Sequence, residues 1–317
     1  MLRSFNRLLC LFFCFALYAE TEENPSYSIA LVHIGPSLPD YAIDALRQAR
    51  LFNPKAHLIL LADPAATEFH SADLALLNVA LIPLNSFSPT EEHQEFLKKK
   101  SSAQFFWRVT TERFFYLEEW MRENHQTDVF HLETDNLLYA DLATLLPIFK
   151  KHYSGIAATF LHKDLGIAGL VYFSSPTAIK HFTKFIAKRA LGRCDMELLA
   201  LFQQEESKEA IDHLPVILPS YANAHPLKSI SGYRPKTPQS YSNHFSEFQS
   251  IFDALPLGLY LGSGHIEQHA LFDPRLITFD WELDEEGRKI PFAQFGETRV
   301  RINNLHIRCK DLKKFRS

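Results

Sequence analysis

Glycine and cysteine are scarce in this sequence, and it has no excess of positive charge. Of its 317 residues, 11 are glycine and 4 are cysteine, and 33 basic residues stand against 37 acidic ones, for a formal net charge of −4. The sequence has no internal repeat and no collagen-like or low-complexity signature. Because it lacks a basic footprint, no nucleic-acid partner is expected. Hydrophobic residues make up 46% and aromatic residues 13%, which is enough for a large α/β core.

The N-terminus has the features of a targeting segment. Arg3 and Arg7 precede an apolar run, residues 8–18, which is too short for a comfortable membrane span. Ala19 is a candidate cleavage residue, although the residue two positions before it is not small. Residues 1–19 are therefore predicted to be a cleaved signal peptide or an uncleaved signal anchor, and an anchor would associate the protein with a membrane.

The predicted location is secretory or membrane-anchored. Residues 20–26 are polar and are expected to form a linker. Asn24 begins an Asn-x-Ser sequence, but Pro25 disqualifies it as a glycosylation acceptor. The lack of an acceptor disfavours a eukaryotic secretory enzyme and suits a bacterial envelope or exported protein.

The cysteines leave two alternatives open. Cys10 and Cys14 lie in the apolar N-terminal run, so only Cys194 and Cys309 would remain in a mature chain. These two could form one disulfide or stay as free thiols, and sequence alone does not pair them.

The first half of the chain predicts a mostly parallel sheet. An almost continuous apolar strand at residues 27–34 is followed by a helical pattern at 39–52 and a second apolar strand at 57–63. Strand, helix, strand is the repeating unit of a doubly wound α/β sheet flanked by helices.

Further strands are expected near 79–84, 155–160, 166–174, 211–218, 276–281 and 300–307. Further helices are expected near 90–100, 105–120, 141–151, 179–190, 195–202 and 252–261. Residues 221–244 are expected to be irregular, and residues 27–317 to form a single domain.

The ends of the first two strands are candidate ligand-binding positions. Val32 and His33 lie at the end of the first strand and Asp63 at the end of the second. Open α/β sheets bind ligands outside the carboxyl ends of their strands. Asp63 has an equally good alternative role as a cap before Pro64.

The sequence Glu133-Thr134-Asp135 follows an apolar strand. Period-2 alternation would put both carboxylates on the same side of an extended backbone. Two such groups repel each other when buried, and a divalent cation such as Mg²⁺ or Mn²⁺ relieves the repulsion. The alternative is a solvated acidic turn without a ligand.

Three further stretches contain candidate site residues. Arg113 lies on the aromatic-rich helix at 105–120 and could bind phosphate, or could pair with Glu112 or Glu118 on the same helix. Gly169 precedes an apolar strand, where glycine permits close approach of a ligand. Asp195 and Glu197 begin a helix, where acids are favourable as plain caps.

Six features follow one another along the chain: the strand-helix-strand start, the helix with Arg113, the Glu-Thr-Asp turn, the Gly-Ile-Ala-Gly stretch, the Asp-Met-Glu stretch and the closing Asn-Leu-His-Ile-Arg-Cys-Lys. In this order, they resemble a GT-A glycosyltransferase. The resemblance spans residues 27–310 and implies a mixed, mostly parallel GT-A sheet of Rossmann-like type. It also implies that residues 220–317 form an acceptor-binding or closing region.

The resemblance implies a metal site and a diphosphate site. In the acid-x-acid motif of these enzymes, the residues matching Glu133 and Asp135 hold Mn²⁺ or Mg²⁺. In members that retain anomeric configuration, a late histidine, here His306, is a third ligand and a nearby lysine, here Lys310, contacts phosphate. The closing motif of the family often reads His-x-His, and here Arg308 stands in place of the second histidine. This suggests that Arg308 binds phosphate through its positive charge.

The remaining candidates follow from the same resemblance. Asp195 matches the acid that faces the transferred sugar and the acceptor, and Asp195 and Glu197 are the catalytic candidates. The donor-binding candidates are Val32, His33, Asp63, Arg113, Gly169, Arg308 and Lys310.

The expected function is transfer of a sugar from a UDP- or GDP-sugar to a glycan, lipid or protein acceptor. A non-catalytic relative that binds sugar or a partner is the alternative, because Glu133 and Arg308 depart from the family pattern. A metal-dependent hydrolase using His33 and His131 is disfavoured, because no matching ligand spacing occurs.

Overall fold

The computed structural model describes residues 27–99, 105–224, 238–262 and 277–317. The predicted targeting segment (1–19), the predicted linker (20–26) and the middle of the predicted irregular stretch lie outside the described residues. Within the described residues, no helix has both the length and the apolar composition that a membrane span requires.

The strands and helices of the described residues include the predicted elements in order. Further short elements that were not predicted lie at residues 71–76, 136–138, 219–224, 245–248, 250–251 and 289–295. The strands are β1 (Ser28–Val32), β2 (His57–Leu61), β3 (Ala80–Ile82), β4 (Val129–Leu132), β5 (Asn136–Leu138), β6 (Ile156–His162), β7 (Leu165–Phe173), β8 (Ile211–His213), β9 (Ser250–Ile251), β10 (Thr278–Leu283), β11 (Lys289–Phe295), β12 (Thr298–Ile302) and β13 (Asn304–His306). The helices are α1 (Asp40–Phe52), α2 (Ser71–Leu76), α3 (Glu91–Lys98), α4 (Phe105–Glu123), α5 (Leu142–His152), α6 (Pro176–Arg189), α7 (Asp195–Glu205), α8 (Pro219–Ala224), α9 (Phe245–Phe248) and α10 (Pro256–Leu261).

The central sheet has the strand order β3-β2-β1-β4-β7-β6-β8. Neighbouring strands are parallel except at β7, which is antiparallel to both β4 and β6. Strands β1 and β4 are buried along their whole length, as expected where helices cover both faces of a parallel sheet. The predicted fold class, α/β with a mixed and mostly parallel sheet, is confirmed.

The C-terminal region adds a smaller sheet with the order β10-β11-β12-β9. Strand β11 was not predicted, because Pro291 interrupts its pattern and proline is unusual inside a strand. The predicted strand at 300–307 is divided at Asn303 into β12 and β13. Strand β13 leaves the smaller sheet and pairs antiparallel with β5, His306 opposite Asn136. This pairing carries the end of the chain to the acidic turn that precedes β5.

One continuous cluster of buried side chains joins these parts. It includes Ile29 of β1, Phe149 of α5, Phe252 after β9 and Leu305 of β13. The ring centroids of Phe149 and Phe252 lie 6.0 Å apart in an edge-to-face arrangement. Burial of such apolar surface holds the C-terminal region against the central sheet.

Candidate functional site

Glu133 and Asp135 lie in a turn between β4 and β5, not on a strand. The Asn136 amide donates to the Glu133 carbonyl at 3.0 Å and closes the turn. The predicted extended, same-side geometry is therefore wrong. The carboxylates nevertheless converge, because both point toward His306, which the β13–β5 pairing brings alongside.

Glu133, Asp135 and His306 form a compact triad. Glu133 Oε2 and Asp135 Oδ1 each lie 3.3 Å from His306 Nε2. One ligand atom from each residue lies within 4.8 Å of the other two. Carboxylate oxygens suit hard divalent cations, and imidazole adds a nitrogen ligand for a transition metal such as Mn²⁺. The donor set and its spacing therefore fit a divalent cation held by these three side chains.

The other oxygen of each carboxylate is bound by a cation. Glu133 Oε1 lies 2.5 Å from Arg113 Nη1, and Asp135 Oδ2 is paired with Lys310 Nζ. The second Arg113 nitrogen, Nη2, lies 2.5 Å from Asp195 Oδ2. Each carboxylate is thus fixed on one side and presents its remaining oxygen to the centre of the triad.

Arg113 does not pair with Glu112 or Glu118, the alternative that the sequence left open. Glu112 lies near Arg108 and Glu118 near Arg122 instead, at 3.8 Å and 3.6 Å. Its two carboxylate partners come from the acidic turn and from the start of α7. A buried guanidinium with a planar fork suits such a bridging position.

The charges of the triad shift its pKa values. Burial alone lowers the pKa of His306, but Asp135 and Glu133 outweigh burial and raise it to about 9. Burial raises the pKa of Asp135, but His306 and Lys310 outweigh burial and hold it below its usual range. Burial likewise raises the pKa of Glu133, and Arg113 and His306 reverse this. Both carboxylates are therefore ionised at neutral pH, and a metal ion that binds all three side chains displaces the proton of His306.

The triad opens into a cavity of about 500 Å³. Its walls are the β1–α1 connection, the first turns of α4 and α7, and the C-terminal tail. The predicted donor-binding residues Val32, His33, Arg308 and Lys310 all line it, as does the predicted catalytic residue Asp195. Thr110 donates to Asp195 Oδ1 at 3.2 Å, and burial raises the pKa of Asp195 while Arg113 opposes the rise.

Two predicted residues lie elsewhere. Asp63 is exposed and does not line the cavity. Glu197 Oε2 accepts the Cys194 amide at 2.9 Å and caps α7, and it does not line the cavity either. The capping role that the sequence left open for Glu197 is the one its position supports. Their positions give no support to a donor contact by Asp63 or to a catalytic role for Glu197.

Gly169 is close to the triad but for a different reason than predicted. Its carbonyl accepts the Glu133 amide at 3.0 Å. A Cβ at this position would lie 2.5 Å from Asn136 Nδ2 and 3.1 Å from His306 Nδ1. Glycine is therefore required so that these protein side chains can approach the strand, whereas the sequence predicted close approach of a ligand.

Asp253 is a buried residue beside the site that the sequence did not predict. Its carboxylate accepts three backbone N–H groups, from Leu257 at 3.0 Å, Gly258 at 2.8 Å and His306 at 3.0 Å. It thereby ties the backbone of the third triad residue to the start of α10. The only available signal was an acid shortly before Pro256, which is typical of a helix cap.

The two cysteines in the described part of the chain are free. Cys194 is partly buried and Cys309 is exposed, and no disulfide joins them. Of the two alternatives that the sequence left open, the structure therefore has the free thiols.

A second group with metal-ligand spacing lies outside the cavity. It consists of His152, His244 and Glu247, which are all partly exposed or exposed. Both oxygens of Glu247 are already paired, with His152 Nε2 and with Lys151 Nζ, each at 2.6 Å. This group provides a natural control for experiments on the triad.

Comparison with known proteins finds similarity only at the level of solved structures. No family model and no curated protein matches the chain. The solved structures that resemble it include glycosyltransferases.

Three of these structures show the level of similarity. Mouse xyloside xylosyltransferase 1 has 13% identity over 68% of this chain and 93% of its own, with a TM-score of 0.42. An active-site mutant of LgtC has 12% identity over 68% of this chain and 83% of its own, with a TM-score of 0.44. A cytidylyltransferase from Leptospira borgpetersenii has 10% identity over 60% of this chain and 76% of its own, with a TM-score of 0.36. At these values, function is inferred from the site itself.

Proposed function

We propose that this protein is a metal-dependent glycosyltransferase. It moves a sugar from a nucleotide-diphosphate sugar, of the UDP or GDP type, to a glycan, lipid or protein acceptor. The observation that carries the proposal is the Glu133–Asp135–His306 triad in a cavity that also contains Arg308 and Lys310. A fold alone would not support this function, since one fold serves many activities.

The proposed cofactor is Mn²⁺ or Mg²⁺, held by Glu133, Asp135 and His306. When bound, such an ion neutralises the charge that develops on a departing diphosphate. Lys310 and Arg308 line the same cavity, and their positive charges stabilise the diphosphate oxygens in the same way. The metal ion, Lys310 and Arg308 thus share the stabilisation of the leaving group.

The remaining residues hold the sugar and orient the carboxylates. Arg113 bridges Glu133 and Asp195, so the carboxylate proposed to bind sugar hydroxyls is fixed relative to the triad. In the transfer, the acceptor oxygen bonds to the anomeric carbon as the bond from that carbon to the diphosphate oxygen breaks. The products are the glycoside, a nucleoside diphosphate and the proton of the acceptor hydroxyl.

A donor-hydrolysis screen tests the proposal. Purified protein is incubated with a series of UDP- and GDP-sugars and Mn²⁺, and release of free nucleoside diphosphate is measured. Wild-type protein should cleave at least one donor, and Asp135→Ala should cleave it at least about a hundredfold more slowly. Glu247→Ala, in the second His and Glu group, is the matched control and should keep the wild-type rate. If no donor is cleaved, or if Asp135→Ala cleaves as well as wild type, the transferase proposal fails.

The same screen distinguishes a transferase from the non-catalytic alternative. A binding protein would be stabilised against thermal unfolding by a nucleotide sugar with Mn²⁺, but would release no nucleoside diphosphate. This result would replace the transferase by a sugar-nucleotide-binding relative.

We further propose that residues 1–19 direct the protein to a secretory or membrane-anchored location, as in a bacterial envelope or exported protein. Fusion of these residues to a phosphatase that is active only outside the cytoplasm tests this. Activity of the fusion is expected, and an inactive fusion that is produced normally would contradict it.

A further inference from the structure

The cavity has a cationic end beside Asp135. Lys310 Nζ pairs with Asp135 and lies 5.3 Å from the centre of the Tyr41 ring on α1. The Arg308 guanidinium lines the cavity and has no ion pair within the ranges that the structure describes. These cations suit the diphosphate of a donor, and the β1–α1 wall beside Tyr41 is then the place for its nucleoside.

From the triad, a second series of contacts leads away from Lys310. Glu133 pairs with Arg113, and Arg113 pairs with Asp195, both at 2.5 Å. Asp195 Oδ1 accepts the Thr110 hydroxyl at 3.2 Å. The triad therefore lies between Lys310 and Asp195 in one continuous row of polar contacts.

Beyond Asp195 the wall becomes apolar. Met196 follows Asp195 in α7, and Trp107 lies one helical turn before Thr110, whose hydroxyl donates to the Trp107 carbonyl at 3.1 Å. The ring centroids of Phe106 and Trp107 lie 5.0 Å apart at an interplanar angle of 74°. All three residues line the cavity, so two aromatic rings and a thioether lie next to the Asp195–Thr110 pair.

Phe106 is an exposed residue that lines the cavity. Its side chain is 59% exposed, which is unfavourable for a large ring that has no ligand to contact. The other strongly exposed large apolar residues in the described ranges do not line the cavity: Leu51, Phe69, Leu76, Leu191 and Leu283. Phe106 and Thr110 are four residues apart on α4, so the exposed ring lies on the same helix face as a hydroxyl that contacts Asp195. An aromatic ring beside polar groups suits the apolar face of one sugar ring.

We propose that Phe106 and Trp107 form the acceptor subsite and that the acceptor is a glycan. The apolar face of a pyranose ring packs on the two aromatic rings, while Thr110 and Asp195 bind its hydroxyls. Sites for small ligands commonly combine an apolar, aromatic lining with a few polar groups that fix orientation. The proposal rests on the proposed transferase function, because it places the acceptor on the opposite side of the triad from the diphosphate.

Acceptor kinetics test the subsite. The donor selected by the hydrolysis screen is saturating while the acceptor is varied, and is itself varied in a second series. The acceptors are methyl glycosides of the common hexoses and of xylose. Phe106→Ala should raise the KM for the acceptor about tenfold, as expected for loss of an aromatic contact, with less than about a threefold change in the KM for the donor. Phe69→Ala is the matched control, because Phe69 is 94% exposed and lies outside the cavity. It should leave both values unchanged.

A binding measurement without turnover supports the kinetics. Titration of the wild-type protein with the same glycosides should change the fluorescence of Trp107, and the change should disappear in Trp107→Phe. This readout stays informative if Phe106→Ala folds poorly.

The outcomes separate the subsite from the function. If wild type cleaves a donor but Phe106→Ala and Phe69→Ala have the same acceptor KM, the subsite is overturned and the transferase stands. If sugar is transferred only to lipid-embedded acceptors and never to soluble glycosides, the glycan assignment is overturned. If no donor is cleaved or bound, the transferase and the acceptor subsite fail together.

Discussion

At the scale of single residues, the site depends on how each carboxylate divides its two oxygens. Glu133 gives one oxygen to Arg113 and one to His306, and Asp135 divides its oxygens between Lys310 and His306. Asp135 was recognisable from the acid-x-acid pattern. The partners of Arg113 were not, because local sequence suggests pairing with Glu112 or Glu118 on the same helix, whereas Asp195 is 82 residues away.

Replacing Asp253 should loosen His306. Asp253→Ala removes the acceptor of three backbone N–H groups, two of them in fully buried hydrogen bonds, so the free energy of unfolding should fall by about 3 kcal/mol. The Mn²⁺ affinity should fall roughly tenfold or more, because the backbone of a metal ligand is no longer held. Denaturant unfolding and calorimetric Mn²⁺ titration measure the two effects.

Asp253→Asn is a more conservative substitution for comparison with Asp253→Ala. It keeps the volume of the side chain and one acceptor oxygen, so both losses should be smaller. A folded Asp253→Ala protein with wild-type Mn²⁺ affinity would show that Asp253 does not position His306.

Replacing Gly169 should displace the same histidine. In Gly169→Ala the new methyl group would lie 3.1 Å from His306 Nδ1 and closer still to Asn136. Roughly 1–3 kcal/mol of stability should be lost through overpacking, together with at least tenfold in Mn²⁺ affinity.

Gly296→Ala is the control for this substitution. Gly296 has a φ of 62° and open space around its missing Cβ. This variant should lose about 1 kcal/mol through backbone strain and keep its Mn²⁺ affinity. Equal Mn²⁺ affinities in the two variants would contradict the role given to Gly169.

At the scale of elements, the pairing of β13 with β5 completes the site. The register sets His306 opposite Asn136, immediately after the acidic turn. The sequence predicted His306 as a ligand from its resemblance to a family motif, but it merged β12 and β13 into one strand. Asn303 divides them, and its side chain donates to Ser250 Oγ at 2.8 Å. Such long-range pairing cannot be recognised from local periodicity.

The contact between α3 and α4 should make stability depend on pH. His93 is buried, with Nδ1 2.9 Å from Glu119 and Nε2 3.7 Å from Glu112. Burial alone lowers its pKa, but the two glutamates raise it to about 9. Its stabilising contribution is therefore complete below its unfolded pKa of about 6.5 and is lost as pH rises through about 9.

His93→Gln should flatten this part of the stability profile. Between pH 6.5 and 9 the wild-type free energy of unfolding should fall by about 3 kcal/mol more than that of the variant. Denaturant unfolding across this pH range measures the difference. His181→Gln, at a half-exposed ring on α6, should keep the wild-type slope, and an unchanged slope in His93→Gln would disprove the assignment.

At the scale of the whole molecule, the sequence predicted the order of the strands and helices better than the contacts between them. Alternating strands and helices from Ser28 onward gave the fold class, because buried parallel strands have a distinctive apolar pattern. Asp63 and Glu197 were predicted as site residues but do not line the cavity, and Glu197 caps α7 instead. Asp253 was missed because its partners are backbone groups brought together only by the complete fold.

The central claim is that Glu133, Asp135 and His306 hold a divalent cation for a nucleoside diphosphate. Calorimetric titration of Mn²⁺ in the presence of UDP or GDP tests it most directly, using wild type, Asp135→Asn and Glu247→Gln. Wild type and Glu247→Gln should bind one Mn²⁺ per chain with the same affinity. Asp135→Asn should bind at least about tenfold more weakly. Equal binding by wild type and Asp135→Asn, or loss of binding only in Glu247→Gln, would contradict the claim.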